Sequence, residues 1–559
     1  METNGSGTTL NIIKAIRDEK LSKLKKRIIF KLRVPGFYYL SASKQPLLDK
    51  SVLLEAGQGR NLNGNMFTIA HYISSQQEAQ GWQIYWTLAD TCMLEEAIER
   101  FKEYECRVHF VIRDSKDYCN ILARAKFLLT DNSFPVYFSK RKEQIYLNTW
   151  HGTPLKTLGR KNLSSVLSIP NVQKNFLSAD YVLFPNELTK DVFLDDYMLR
   201  PVLENKLVMA DYPRNDVFSD TDRQCKLRHK LGLLDKQLIA YLPTWRGNQE
   251  KVSIEEQRRL LLNLLDFLDK GLREEQELYV NLHFLMETFV DYKKYRHIKP
   301  FPGQYETYDF LSIVDMLITD YSSVIFDFAI TKRPIVLYAY DLDDYRQKHG
   351  LNLYLQEMPF PIVQTPERLL QLFQDSIQED NSDNVIIAFL DRYATFRDMD
   401  TTKKLWMLLS ESNNKGLEIK KAHPSQPWVL AYLGDLQRPG DYSILAQKVK
   451  EIAKQYVGHK LILCSRGRVT HTQILFLEGL HEATGYILLT EPNILRPVHW
   501  LKARLGWEGN ALKKEFKRER ERICPNLHPS VVLNCAPGHD LTTQYLQTFS
   551  DDCEYKIWK

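Results

Sequence analysis

The chain has 559 residues, 44% of them hydrophobic and 11% aromatic, which is enough for about three or four compact units. A net charge of +5 is small for this length, and without a zinc-finger or RNP-type motif it argues against nucleic-acid binding. Eight cysteines with no CxxC pair indicate reduced thiols in a cytoplasmic setting, 14 histidines with no HExxH or clustered ligand spacing define no metal site, and neither a bilayer-length apolar run nor a signal peptide is present.

Met1–Thr9 is small and polar and is predicted to be disordered. From Leu10 to Leu32, Ile12, Ile13, Ile16, Leu21, Leu24, Ile28 and Ile29 alternate with nine or so Lys and Arg residues, opposed only by Asp18 and Glu19. A basic amphipathic helix of this kind suits an anionic membrane surface, and it equally suits an apolar stripe docked on the protein with its lysines in water. Pro35-Gly36 is expected to end it.

Short apolar runs then recur as candidate strands. Ser51–Glu55 leads into a glycine-rich loop containing Gly57, Gly59 and Arg60, where missing side chains would allow close backbone approach. Gln83–Trp86, Val108–Ile112 and Phe127–Thr130 follow, separated by helical segments, a pattern that predicts a parallel sheet covered by helices. The run ending at Asn148 enters Thr149-Trp150-His151-Gly152-Thr153-Pro154-Leu155-Lys156. A histidine freed by glycine and proline at a strand end is placed to act as a base, although a structural turn histidine fits the same residues.

Further strands are expected to end in Arg214, Arg246, His283 and Asp320-Tyr321-Ser322-Ser323. Ligands of parallel α/β sheets bind beyond the carboxyl ends of strands, and cations and hydroxyls gathered there suit a pyrophosphate. Leu317–Tyr354 reads as a β-turn-α-β unit whose Ser322 and Ser323 open a helix, a site for phosphate or an ordinary N-cap. After a polar linker at Glu411–Gly416, runs at Trp428–Leu433, Lys460–Cys464 and Val531–Leu533 predict a further, incomplete α/β unit. Its basic stretch Leu501–Arg522 could meet a membrane or polyanion, or be a solvated helix face.

Taken together, Asn148–Lys156, Tyr212-Pro213-Arg214-Asn215-Asp216, Leu242–Arg246, Thr319–Phe328 and Tyr338–Arg346 resemble the CDP-glycerol glycerophosphotransferase family, the teichoic-acid primases and polymerases of Gram-positive bacteria, over Ser51–Met407. The resemblance implies an α/β, GT-B-like architecture. Two Rossmann-like lobes would face a cleft, a basic amphipathic segment would occupy residues 1–48, the acceptor-side lobe 49–178, the donor-side lobe 179–412, and the partial α/β unit 413–559. It further implies transfer of glycerol phosphate from CDP-glycerol to a lipid-linked acceptor at the cytoplasmic face of the cell membrane, in teichoic acid or capsule synthesis, with release of CMP.

By motif the family's two catalytic histidines fall on His151 and His283. Donor binding falls on Arg214, Arg246, Asp320, Ser322, Ser323 and Asp327, and the acceptor side on Gly57, Gly59, Arg60 and Lys156. No tightly bound cofactor is implied, and a divalent metal is not specified. Here Phe284 follows His283 where the family often has Tyr, and Glu55–Arg60 lacks the family's usual Ser-Phe near this point. A CDP-ribitol phosphotransferase, a nucleotide-sugar glycosyltransferase on the same fold, and a membrane-docked assembly factor with an inactive cleft remain the alternatives.

Overall fold

The computed structural model describes residues 34–558 apart from 77–80, 245, 247–253, 283, 344, 346–349, 375–382, 397–399, 423–425, 437–441, 468–469, 492–493, 506, 508 and 537–540. The basic segment Leu10–Leu32 and His283 therefore lie outside the described residues. Three sheets organise the rest. The first contains β1 (Leu48–Glu55), β2 (Gln83–Leu88), β3 (His109–Ile112), β4 (Ala125–Thr130), β5 (Ile145–Asn148), β6 (Tyr181–Phe184) and β7 (Lys206–Met209), with β14 (Glu418–Lys421) at its edge. Their order is β14-β7-β6-β5-β4-β1-β2-β3. All pairs are parallel except β14 against β7. The second sheet contains β8 (Gln237–Leu242), β9 (Gln276–Val280), β10 (Ile298–Pro300), β11 (Met316–Thr319), β12 (Ile335–Tyr338) and β13 (Ile362–Val363), in the order β10-β9-β8-β11-β12-β13. Strands such as β6, β11 and β12 are continuous apolar runs buried on both faces, as helix-covered parallel strands must be.

The helices used below are α1 (Val34–Ala42), α2 (Asn65–Ser75), α3 (Lys116–Arg124), α4 (Ile169–Ser178), α5 (Val324–Phe328), α6 (Asp383–Tyr393), α7 (Thr401–Glu411), α8 (Pro497–Arg504) and α9 (Asn510–Ile523). Pro35-Gly36 lies inside a short helix of its own, α1. Pro35 stands in the first turn of α1, where its missing N–H costs nothing, and Tyr39 and Leu40 of α1 are buried in the first lobe's core.

The lobe boundaries differ from those expected. β6 and β7 pair into the first sheet, so that lobe continues past residue 178. The chain crosses to the second lobe only after β7, where Val217 and Phe218 join the second lobe's core. It returns after α6, because Leu405, Leu408 and Leu409 of α7 pack in the first lobe's core. The two crossings lie side by side: the Asp216 carboxylate accepts from Thr401 N at 3.0 Å and Thr402 N at 2.9 Å. The strand ending before Arg214 thus belongs to the first lobe, unlike those ending near Arg246 and Asp320.

The final unit contains a five-stranded parallel sheet. It contains β15 (Trp428–Asp435), β16 (Lys460–Arg466), β17 (Gly485–Leu488), β18 (Val531–Asn534) and β19 (Glu554–Ile557), in the order β17-β16-β15-β18-β19. Winding outward both ways from its first strand makes it doubly wound. It shares one hydrophobic core with the first lobe, in which Tyr118 and Phe176 belong to the same cluster as Leu430 and Ile487. Gln173 of α4 serves as a substitute strand on the exposed edge of β17. Its amide donates to Tyr486 O at 3.0 Å and accepts from Leu488 N at 3.0 Å.

Candidate active site

β5 ends at Asn148, whose side-chain oxygen accepts from Trp150 N at 2.9 Å and turns the chain sharply. Trp150 has φ +51°, so its indole lies back against the core and stacks on the His151 ring with centroids 4.4 Å apart. His151 stands in the cleft, reachable by solvent yet closely surrounded by protein. Its Nδ1 donates to Asp131 O at 2.8 Å. A carbonyl can only accept, so the neutral ring carries its proton on Nδ1 and presents Nε2 as a free base. Desolvation, assisted by the Arg214 cation, lowers the imidazole pKa, which the carbonyl contact only partly offsets.

The glycine-rich loop supports this histidine from beneath. Gly57 N donates to Asp131 Oδ1 at 2.7 Å, and Gln58 bonds Asn132 at 3.2 Å. Burial raises the Asp131 carboxyl to about 7. Gly57, Gln58 and Gly59 all have positive φ. A Cβ at Gly57 would meet the Asn61 amide at 2.6 Å, and one at Gly59 would meet Ala89 N at 2.7 Å. The glycines are required by close packing, against Asn61 of the loop and against Ala89 just past the end of β2. Arg60 is exposed and folds back, donating to Gly57 O at 3.1 Å and Gln58 Oε1 at 3.0 Å.

The opposite rim is the turn after β11. A Cβ at Gly152 would fall 2.4 Å from Ser323 Oγ. The Trp-His-Gly turn and the Asp-Tyr-Ser-Ser turn therefore touch across the cleft. Helix α5 is only five residues long, so its dipole is small, and Ser322 and Ser323 supply hydroxyls more than a helix field. Lys156, expected on the acceptor side, lies against the second lobe instead. It forms a bridge with Leu351, and its ammonium sits 5.5 Å from the Tyr345 ring, which stacks on Tyr321 at 3.5 Å.

The two arginines are held by carboxylates. Buried Arg214 donates to Asp327 Oδ2 at 2.8 Å and to His151 O at 2.9 Å. Asp327 also accepts from Tyr308 OH at 2.9 Å and Asn215 Nδ2 at 3.2 Å. Arg214 and Asp327 thus brace one lobe to the other, instead of both facing a phosphate as expected. Arg246 donates to both oxygens of Asp341, at 2.7 and 3.0 Å, and pairs with Asp320 at 2.9 Å. It lines a cavity of about 410 Å³ at the carboxyl edge of the second sheet, together with Tyr241, Thr244, Asp320, Tyr338 and Tyr340. Leu282 and Met286, on either side of position 283 in the chain, also line it.

Three participants were not singled out from the sequence. Asn65 donates to Thr149 Oγ1 and Trp150 O, both at 3.2 Å, and accepts from Arg214 N, so α2 locks the histidine turn. Glu306 accepts from Gly64 N at 2.7 Å across the cleft. Asp131 is the third. Among the described residues no group of three or more His, Cys, Asp or Glu is arranged to hold a metal ion.

Two lobes of parallel sheet, with an imidazole on one rim and an aromatic, arginine-lined cavity at the other, have the architecture of a GT-B-type group transferase. Residues 37–411 match the family described as CDP-Glycerol:Poly(glycerophosphate) glycerophosphotransferase, and the chain belongs to that family. It is 26% identical over 405 residues to the teichoic acid poly(glycerol phosphate) polymerase of Bacillus spizizenii, covering 68% of this chain and 98% of that one. It is 29% identical over 381 residues to the teichoic acid poly(glycerol phosphate) polymerase of Staphylococcus epidermidis, covering 64% of this chain and 50% of that one. The solved wall teichoic acid polymerase TagF shares the fold with a TM-score of 0.56 at 23% identity, over 71% of this chain and 98% of that one.

Proposed function

We propose that this enzyme transfers glycerol phosphate from CDP-glycerol to a lipid-linked glycerol-phosphate acceptor in teichoic acid synthesis and releases CMP. Family membership supports the donor. The observation that supports the reading is the contact between Gly152 and Ser323, which brings the His151 turn and the hydroxyl-bearing turn together where the two lobes meet. The acceptor hydroxyl gives its proton to His151 Nε2 as its oxygen attacks the β-phosphorus. The bond from that phosphorus to the CMP oxygen breaks in line, and CMP leaves. Ser322, Ser323 and Lys156 stabilise the oxygens that gain charge. The cavity beside Arg246 takes the cytidine, with tyrosine rings against the base.

His151→Ala should lower kcat by ~10³ while leaving CDP-glycerol binding near wild type. Transfer should rise with pH through an acid limb centred below the ordinary imidazole value of ~6.5, because His151 must be neutral to accept a proton. Unchanged CMP release in the alanine variant removes His151 from the mechanism. Parallel assays with CDP-ribitol and UDP-sugars separate the alternative donors. The enzyme works as a peripheral protein at the cytoplasmic face of the membrane. No helix among the described residues is long and apolar enough to cross a membrane, and the basic amphipathic composition of Leu10–Leu32 suits an anionic surface.

A further inference from the structure

The last unit carries an apolar surface that the transfer reaction does not use. Helix α8 carries large apolar side chains that face solvent. Arg496, just ahead of it, pairs with Glu515 of α9 at 3.0 Å, His499 lies 3.7 Å from the same carboxylate, and Ala503 is buried. Val498, Leu501 and Leu505 follow at helical spacing on its outward side, with Trp507 just beyond its end. These four are between 53 and 62% exposed, and Trp500 on the flank is 38% exposed. So much large apolar surface within ten residues marks an interaction site. Lys502 reaches over the Trp507 ring at 5.6 Å, and Lys514 is exposed at the start of α9 beside Lys513, which pairs with Asp551 at 2.8 Å.

A second observation identifies the partner. Ile494, just before α8, packs against Gly36, where a Cβ would lie 3.1 Å from its side chain. The basic amphipathic stretch Leu10–Leu32 joins the described chain at Val34, beside that contact. The point where that basic stretch joins the described chain therefore lies on the side of the molecule that carries α8, and both sequences combine cations with apolar side chains. That combination suits an anionic phospholipid bilayer, where tryptophan and leucine enter the headgroup boundary and lysine meets lipid charge.

We propose that Val498, Leu501, Leu505 and Trp507, flanked by Trp500 and Lys502, form a membrane-docking surface that seats the first lobe and the final unit on an anionic bilayer. This deepens, and rests on, the reading of the enzyme as peripheral. The test is tryptophan quenching in the full chain by vesicles of phosphatidylcholine and phosphatidylglycerol with brominated acyl chains. Wild type should be quenched, and Trp500→Phe with Trp507→Phe should lose the quenched component. Leu501→Ser, Leu505→Ser and Trp507→Ser together should weaken vesicle partition by at least ~10-fold, while CMP release to a water-soluble acceptor stays at the wild-type rate. Quenching that persists in the phenylalanine variant, or partition unchanged in the serine variant, overturns the proposal. So does quenching that appears only after residues 1–33 are removed, which would make that segment the occupant. A dimer that the serine variant dissociates would make the surface a subunit interface and overturn it equally. Normal quenching with no CMP release from any acceptor would sink the proposed reaction and leave the docking surface standing.

Discussion

Two buried arginines close two seams in this molecule, and they differ in how completely they are held. Arg522 joins the final unit to the first lobe. It donates to Glu519 through Nε at 3.0 Å and Nη2 at 2.6 Å, and to Val136 O of the first lobe at 2.6 Å. Glu519 in turn accepts from Ile494 N at 2.8 Å. Arg214 joins the two catalytic lobes, yet its Nε is buried without a hydrogen-bond partner. One arginine is a saturated fastener. The other keeps an unfilled donor beside the His151 turn, and such groups cluster where a structure serves chemistry as well as stability.

If that contrast is sound, the seams should respond differently to the same change. Arg214→Met should cost ~10²-fold or more in transfer, because a displacement of about 1 Å between the rims is enough for such a loss. It should also destabilise by ~3–5 kcal/mol by leaving Asp327 buried and unpaired. Arg522→Met should cost a similar ~3–5 kcal/mol in urea unfolding, with transfer per folded molecule unchanged. Adding Glu519→Leu should recover most of that stability, since an apolar pair tolerates the dry seam. Activity falling with Arg522→Met would break the comparison.

A smaller effect concerns acid. Burial alone would raise the Glu519 pKa, but Arg522 and the Ile494 N–H hold it below the ordinary value. Its contribution is therefore complete above an unfolded pKa of ~4.3 and is lost as pH falls through the folded pKa. The final unit should loosen from the first lobe in acid, read as faster amide exchange at β17, and Glu519→Gln should remove that dependence. The smallest change should come from Asp131→Asn. The amide oxygen can still accept from Gly57 N, and His151 is held by a backbone carbonyl, so activity should stay within about threefold.

Most strands were legible because buried parallel strands are unbroken apolar runs, as at β8, β11 and β16. The histidine turn and the Asp-Tyr-Ser-Ser turn were legible as polar breaks after such runs. The partners of the arginines were not. Asp327 lies 113 residues from Arg214, and Asp341 lies 95 from Arg246, and nothing local links them. The lobe boundary was missed because β6 and β7 look like any other strands, and only their pairing assigns them to the first sheet. Two strands of the final sheet were not anticipated, because β17 is short and opens on glycine, while β19 is half polar at an edge. The basic run Leu501–Arg522 hid a mixture. Arg520 and Arg522 are buried, and Lys513 and Lys517 pair with Asp551 and Asp552, so the apolar residues before them are what the surface offers.

The paired crossings at Asp216 carry a mechanical consequence. Two parallel tethers stapled by one carboxylate resist shear and twist, and leave a swing about a single axis as the soft motion by which the jaws could part. The final unit, fused to the first lobe, must travel with it like the handle of a hinged tool. A spin-label distance between Val457 and Lys293 would then report the gape directly, without any probe in the catalytic gap.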